Sequence, residues 1–186
     1  DNLYNTSIEN AMKISGRNSY GLTYGLLLSQ STIDNDLIDN NYHKKINMAI
    51  SRISYNFMNS ASSIGFMSSQ YKDIFNNTYV YSLDGLYSLF DKKVRIDGQI
   101  VLSKRNNNNG IGYNYELSYS NEIKTSIVNF LKNSIIELWY NKQYYDRDFD
   151  INDIGYLVRN NYKENDIGIV LSKIFTNSKI IHRSLN

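Results

Sequence analysis

Few side chains in this sequence belong to the types that build catalytic or metal sites. Its two histidines, His43 and His182, lie far apart in the chain, and there is no cysteine. A Ser-His-Asp site or a histidine metal cluster would need partners at fitting positions, and no supporting motif is found. Disulfides and thiolate metal sites are excluded, because both need cysteine. We expect both histidines on the solvated surface.

The acidic run from Asp146 to Asn152 is the best candidate for a metal site, because carboxylate and amide oxygens are calcium ligands. A calcium loop of this type also requires glycine at its sixth position and glutamate at its twelfth. Counted from Asp148, those positions hold Asp153 and Arg159. We therefore expect a polar loop in which Asp150 caps a short helix, with neither a metal nor a cofactor.

Asp84 interrupts an apolar stretch, since it lies with Gly85 between Leu83 and Leu86. These two residues could be an exposed carboxylate beside a small residue that allows close helix contact. They could also belong to an interaction surface. No motif in the sequence places two carboxylates close to each other, as acid–base chemistry would require. We expect no catalytic residue and no enzymatic activity.

Composition and charge limit the class of protein. The chain has 186 residues, of which 41% are hydrophobic, enough to bury a core as one domain. Its 20 basic and 18 acidic residues are too evenly balanced to favour binding to nucleic acid or to an anionic membrane. No stretch reaches the roughly 18 to 20 apolar residues of a membrane-spanning helix. Because the chain opens on Asp1 rather than methionine, we expect an excised fragment.

Helical periodicity is clearest in two neighbouring segments, and the absence of proline suits long helices. Gly65 is expected to end the first helix, and Ser68 or Ser69 to cap the second. The short link predicts an antiparallel helical hairpin with Leu83 in its core. Apolar or small residues recur in steps of three and four at Ile46, Ile50, Ile53, Phe57, Ala61 and Ile64, and again at Tyr71, Ile74, Phe75, Tyr79, Leu83, Leu86 and Phe90.

Residues 91–119 break this rhythm. Asp97-Gly98 has the chemistry of a tight hairpin turn, and Ile111 to Tyr119 alternate with period two. Helical spacing returns over 120–139, 150–158 and 166–181. We predict an all-α, mainly helical domain over 1–186, with a small β-hairpin or irregular loop at 93–119. The domain could contain two sub-bundles, 1–90 and 120–186, that are joined by 91–119.

The segment 42–90 resembles the cytoplasmic domain of TssL (DotU-type), a component of type VI secretion systems. Ser69-Gln70 matches the entry to the second helix of that family, and Tyr79 to Asp84 is similar to its Tyr…Leu-Asp core. A second segment, from Tyr156 to Asn165, is similar to the family's Tyr-Leu-x-x-x-Leu-Gly-Phe-Glu-Gly, with Glu164 at the glutamate. The chain departs from the family where Gly85 replaces a glutamate.

The resemblance implies a non-enzymatic part of a secretion machine. It implies two packed bundles with about eight helices in total, on the cytoplasmic side of the bacterial inner membrane, and a membrane anchor beyond the C-terminus. The implied partners are a TssM-like inner-membrane protein, the baseplate subunits and a second copy in a homodimer. No nucleic acid is implied. The candidate interface residues are Asp84, Gly85, Tyr162 and Glu164.

Two other functions remain open at this stage. The chain could be a secreted effector or toxin with its site in the strand-like segment, where Arg105, Tyr113 and Glu116 are the first candidates. It could also be a soluble adaptor or immunity protein that binds a single partner. The genome is expected to be AT-rich, because asparagine, isoleucine, tyrosine, lysine and serine are abundant.

Overall fold

The computed structural model is built from β-strands. It describes residues 5–34, 43–59, 61–124, 133–155, 157, 159–174 and 182–185, and within these ranges there is no helix. All ten strands lie in one antiparallel sheet in which each strand pairs with the next along the chain. They are β1 (Asn5–Arg17), β2 (Leu22–Asp34), β3 (His43–Phe57), β4 (Ser62–Lys72), β5 (Asn77–Leu89), β6 (Val94–Arg105), β7 (Asn108–Ile123), β8 (Ser134–Tyr145), β9 (Tyr162–Ile174) and β10 (His182–Leu185).

The all-α prediction is wrong. Residues 42–90, expected to form a helical hairpin, contain the strands β3, β4 and β5 instead. Gly65, expected to end a helix, lies inside β4. Asp97-Gly98, expected as a turn, lies inside β6. The alternation from Ile111 to Tyr119 does form a strand, but that strand is the seventh of a large sheet and not half of a small hairpin.

Residue composition explains why strands form. The chain has only three alanines, the strongest helix former, but 17 tyrosines and seven phenylalanines, which favour strands. The helical spacing in β3 comes from apolar residues on both sides of one strand. Ile46 and Ile50 point to one face, and Ile53 and Phe57 to the other, because side chains alternate along a strand. Taken together, the apolar residues of both faces are three or four positions apart, which is the spacing typical of one face of a helix.

Short turns join most neighbouring strands. The β1–β2 turn is held by Asn18, whose side-chain oxygen accepts the amides of Tyr20 and Leu22 at 3.0 and 2.9 Å. Gly21 completes that turn with a φ of 91°, a conformation that glycine adopts without steric cost. The β6–β7 turn needs a positive φ of 53° at Asn106, and asparagine tolerates this better than most residues.

Two faces of the sheet follow from the strand register. Residues paired across a ladder point to the same side, so each face can be traced from strand to strand. One side is here called the apolar face, and it includes Ile53, Phe66, Leu83, Ile100 and Tyr113 in a single row. The other side is here called the polar face. It includes Ser54, Gly65, Asp84, Gln99 and Asn114.

The best-buried part of the molecule lies on the polar face, beneath the connection 146–161 between β8 and β9. Phe149 is only 1% exposed and stacks on Tyr145, with ring centroids 5.3 Å apart. The connection approaches β7 so closely that a Cβ at Gly110 would lie 2.3 Å from the Phe149 backbone. Strand residues buried on this face are Ile46, Ser69, Tyr71, Thr78, Val80, Ser82 and Ser103.

Some parts of the predicted helices fall outside the described residues. These parts are 125–132 in the segment 120–139, Tyr156 and Val158, and 175–181 at the end of the last helix. In the part of the chain that the structure does describe, no helix is long and apolar enough to cross a membrane.

Replacement of Phe149 by alanine should destabilise the fold, because a buried aromatic ring is lost and a cavity remains. The expected loss is about 3 to 5 kcal/mol in the free energy of unfolding, measured by chemical denaturation. Leu83→Ala is the matched control, since Leu83 is 50% exposed on the apolar face. The placement of the core would be wrong if Leu83→Ala cost as much as Phe149→Ala in detergent-free buffer.

Candidate functional site

The apolar face is exposed over most of its strands. Ile64, Leu83, Ile100 and Leu102 are each 50% exposed, and Leu117 is 46% exposed. Globular proteins usually bury such residues and expose polar ones. Other large apolar residues exposed on this face are Met12, Ile14, Tyr24, Leu28, Ile53, Tyr55, Phe66, Tyr81, Tyr87, Ile96, Ile111, Tyr115, Tyr119, Leu138, Ile167 and Ile169.

The apolar face also contains a groove where side chains are missing. Gly85 of β5 is paired with Gly98 of β6, so two neighbouring strands present bare backbone on this face. The groove has a volume of about 320 Å³ and is flanked by Ile64, Ile100 and Tyr115. Gly85 is therefore the one candidate interface residue that lies on the apolar face.

A continuous row of polar side chains crosses the polar face. Directly paired positions on β5 to β9 carry Asp84, Gln99, Asn114, Gln143 and Glu164. The row thus links two candidate residues, Asp84 and Glu164, but four strand spacings separate them, about 19 Å along the sheet. The two carboxylates cannot act on one small substrate together across that separation.

Arg52 and Asp84 form a two-pronged ion pair on the polar face. The Arg52 Nη1 and Nη2 atoms donate to the two carboxylate oxygens of Asp84, both at 2.8 Å. The intervening strand carries Gly65 at this point, where a Cβ would lie 2.8 Å from both Arg52 Nη2 and Asp84 Oδ2. The ion pair passes directly over Gly65, so a side chain at this position would displace the tips of Arg52 and Asp84.

Tyr162 and Glu164 lie on the polar face of β9, where the Tyr162 hydroxyl donates to the Glu164 carboxylate. This hydrogen bond raises the pKa of Tyr162. The Tyr162 ring stacks on Tyr145 with centroids 6.2 Å apart, and the Arg159 guanidinium lies 5.0 Å from the ring centroid. These contacts fix the ring against the base of the 146–161 connection.

The three residues considered for an effector site are not brought together. Arg105 binds the 146–161 connection, with Nη1 2.8 Å from Asp150 and Nη2 3.2 Å from Asp153. Glu116 lies on the polar face opposite Asp97, whereas Tyr113 lies on the apolar face. The sheet separates Tyr113 from the other two side chains, so the three cannot form one catalytic site.

Asp73 organises the β4–β5 turn together with Lys44. Its Oδ1 accepts the amides of Phe75 and Asn76 at 2.7 Å, and its Oδ2 lies 2.7 Å from the Lys44 Nζ and accepts the Tyr71 hydroxyl at 2.8 Å. Burial alone would raise the pKa of Asp73, but the hydrogen bond from Lys44 and those from the two amides outweigh it. The pKa of Asp73 is held well below its usual range, and that of Lys44 is raised by the hydrogen bond to Asp73.

Sequence reasoning did not find Arg52, Lys44 or Arg105 as ion-pair partners, because each partner lies on another strand or in a distant connection. A signal for the two faces was nevertheless present. In β9, residues 163–169 alternate between exposed positions on the apolar face and half-buried positions on the polar face. The same period-two pattern could have been read in β5 from Tyr79 to Leu83.

Comparison of the chain with protein-family models, with curated proteins and with solved structures gives no match. Nothing in these comparisons identifies a member of the TssL family. The segment that carries the main resemblance to TssL, residues 42–90, contains β3, β4 and β5 in this structure and no helix among its described residues. The described part of 156–165 belongs to the connection before β9 and to the first residues of that strand.

The Arg52–Asp84 ion pair should contribute little to stability, since Arg52 is 44% and Asp84 is 25% exposed. A double-mutant cycle of Arg52→Gln and Asp84→Asn is expected to give a coupling of about 0.5 to 1 kcal/mol. Gly65→Ala should produce a similar loss by separating the two side chains. A coupling above about 3 kcal/mol would show that the pair is buried in the functional state.

Asp73→Asn should remove stability at neutral pH but not in acid. Because folding lowers the pKa of Asp73, the ionised carboxylate stabilises the fold above its unfolded pKa of about 3.9, and this contribution disappears as the pH falls below that value. The unfolding free energies of Asp73→Asn and the unchanged protein should therefore converge below about pH 4. A difference that stays constant from neutral pH into acid would contradict the assigned interaction. Lys44→Met is the companion variant and should show the same convergence.

Proposed function

We propose that this chain functions as a membrane-embedded β-sheet whose apolar face contacts the hydrocarbon of a lipid bilayer. Its polar face then borders water or polar groups. The observation that carries the proposal is the inverted distribution of side chains. The exposed strand positions hold isoleucine, leucine and tyrosine, while the best-buried strand positions include Ser69, Thr78, Ser82 and Ser103.

Water is an unfavourable surrounding for the apolar face. Burial of one leucine, isoleucine or phenylalanine side chain contributes about 1.5 to 3 kcal/mol, and this face exposes such residues on most of its strands. Monomeric soluble proteins rarely expose contiguous apolar patches of more than a few hundred Å². Contact with hydrocarbon removes this cost without requiring a second protein layer.

Strand length also suits a bilayer. The strands β1 to β9 have between 11 and 16 residues, whereas strands of globular proteins usually have 3 to 10. A tilted strand crosses the hydrocarbon core with about 9 to 11 residues. On β7 the apolar run from Ile111 to Tyr119 is about 27 Å long at 3.4 Å per residue, close to the roughly 30 Å thickness of that core.

Backbone pairing and tyrosine placement support the same location. Each strand from β2 to β8 pairs on both sides, so most of its peptide groups are satisfied without water, as hydrocarbon requires, and β9 pairs on both sides over 171–174. Tyrosine is enriched where membranes meet water, because its ring is apolar and its hydroxyl polar. On the apolar face, Tyr79 and Tyr144 lie towards one end of the strands, and Tyr87 and Tyr119 towards the other, while Tyr113, Tyr115 and Tyr140 lie between them.

The proposed location differs from the cytoplasmic placement implied by the resemblance to TssL. That placement assumed a water-soluble helical domain, and the helices are strands here. A TssM-like partner, the baseplate, a homodimer and an anchor beyond the C-terminus stay predictions of the resemblance. An experiment that locates the apolar face separates the two accounts, because a cytoplasmic domain would not place Leu117 in hydrocarbon.

The test uses the absence of cysteine in the chain. Single cysteines are introduced along β7 at Asn114, Tyr115, Glu116, Leu117 and Ser118, and each is labelled with a polarity-sensitive fluorophore. After reconstitution into phosphatidylcholine vesicles, quenching by nitroxides attached to the lipid chains is measured. We expect strong quenching at Tyr115 and Leu117 and weak quenching at the other three, because neighbouring positions point to opposite faces.

Each label on the polar face is the matched control for its neighbour on the apolar face, since both lie on β7 at nearly the same depth in the bilayer. Equal quenching at Leu117 and Ser118 would contradict the proposal. Blue-shifted but unquenched labels at Tyr115 and Leu117 would show that protein, not lipid, covers the apolar face, which would equally overturn it.

A further inference from the structure

Four lysines of the apolar face lie along one margin of β4 to β9. Lys72 ends β4, Lys104 is the last residue but one of β6, Lys142 lies near the end of β8, and Lys163 is the second residue of β9. Because neighbouring strands are antiparallel, these starts and ends fall on the same edge of the sheet. This row is here called the lysine margin.

We propose that the lysine margin binds the anionic phosphate headgroups of membrane lipids. The inference rests on the proposed function, since the margin meets headgroups only if the adjoining apolar face lies in hydrocarbon. It goes further, because it names the charge of the lipid that the chain prefers. The near-neutral total charge does not reveal this preference, since it does not show how the charges are distributed over the two faces.

From β4 to β9, no paired strand position of the apolar face that the structure describes carries an acidic residue. The acidic strand residues of the polar face are Asp84, Asp97, Glu116, Glu122, Glu137, Glu164 and Asp166. Acidic residues reach the apolar face only on β1 and β2 among the described strands, where Asp34 pairs with His43 and the Glu9 carboxylate accepts the Thr32 hydroxyl. The lysine margin therefore has no carboxylate at a paired position of its own strands on the apolar face.

Three carboxylates in the connections at this edge are held by cations of the polar face. Asp73 is bound by Lys44 at 2.7 Å, and Asp150 by Arg105 at 2.8 Å. Asp153 also lies 2.9 Å from the Arg105 side chain. A fourth, Asp146, accepts the backbone amide of Ile111 at 2.9 Å. These contacts hold the four carboxylates on the polar side of the sheet, away from the lysine margin.

The opposite margin of the apolar face differs. It ends on residues such as Phe57, Leu89 and Val94, and the cations in its turns have acidic neighbours. Lys92 and Lys93 follow Asp91, and Lys124 lies 3.9 Å from Glu122. The cations of the apolar face at this margin, Lys173 and Arg183, belong to β9 and β10. Over β4 to β8, the described strand positions of the apolar face therefore carry lysine at the lysine margin and no cation at the opposite margin.

The geometry favours a row of lipids over a single free phosphate. Lys72 and Lys104 lie on strands separated by β5, about 10 Å apart across the sheet, so the lysines form a line and do not converge on one point. Lysine stems can lie along apolar surface while the ammonium reaches the headgroup layer. The Lys142 Nζ, 5.9 Å from the Tyr113 ring centroid, shows such an arrangement beside an aromatic ring.

The experiment compares lipid selectivity at the protein surface. The protein is reconstituted into phosphatidylcholine bilayers with traces of spin-labelled phosphatidylglycerol or spin-labelled phosphatidylcholine, and the motionally restricted fraction of each gives their relative association constant. We expect phosphatidylglycerol to associate roughly fivefold more strongly, since one basic residue near an anionic headgroup contributes about that factor.

The test variant carries Lys72→Gln, Lys104→Gln and Lys163→Gln, which should reduce the selectivity to nearly one. The matched control carries Lys13→Gln, Lys92→Gln and Lys93→Gln, which removes the same charge from the polar face and the far turn and should keep the selectivity. The proposal is overturned if both triple variants behave alike. It is also overturned if inorganic phosphate abolishes the selectivity at an ionic strength where chloride does not, since the site would then be for free phosphate.

The two proposals fail in different ways. If spin-labelled lipids are restricted but phosphatidylglycerol is not preferred, the headgroup inference fails and the lipid-facing sheet remains. If no lipid of either kind is restricted, the apolar face is not in contact with lipid, and both proposals fail.

Discussion

The alternation of side chains along a strand is the constraint on which this structure depends. A strand sends successive residues to opposite faces, and ten strands in one continuous sheet extend each face across the molecule. The two faces therefore need different surroundings. One face carries ion pairs, such as Arg52 with Asp84, and is partly covered by the 146–161 connection, whose Phe149 stacks on Tyr145. The other face carries exposed isoleucine, leucine and tyrosine, which hydrocarbon satisfies and water does not.

The ion pairs of the polar face determine where the carboxylates of the turns and connections lie. Lys44 with Asp73 and Arg105 with Asp150 and Asp153 fix a turn and a connection at the same edge, and they keep those carboxylates on the polar side. The cations that remain at this edge of the apolar face are lysines with long, flexible stems. A sheet of nearly neutral total charge can therefore be polarised: over the paired positions of β4 to β9, the carboxylates lie on the polar face and the lysine margin lies on the apolar face.

Part of this architecture could be predicted from the sequence, and the reasons for the rest are physical. The alternation from Ile111 to Tyr119 indicates a strand without ambiguity, because polar residues separate its apolar ones. In β3, Ile46 and Ile50 lie on the polar face and Ile53 and Phe57 on the apolar face, so one strand produces a helical spacing. The partners of Asp84 and Asp73 depend on strand register, which local patterns do not fix. Gly65 could be recognised as special, but its role, to let an ion pair pass over it, requires the neighbouring strands.

The most direct test of a sheet with one lipid-facing side is nuclear cross-relaxation between methyl groups and lipid chains in nanodiscs. The protein would carry protonated methyl groups only at isoleucine, leucine and valine. Ile53, Leu83, Ile100 and Leu117 of the apolar face should show cross-peaks to the acyl-chain methylenes, and Val80, Leu86 and Val101 of the polar face should not. Cross-peaks from both sets, or from neither, would contradict the account.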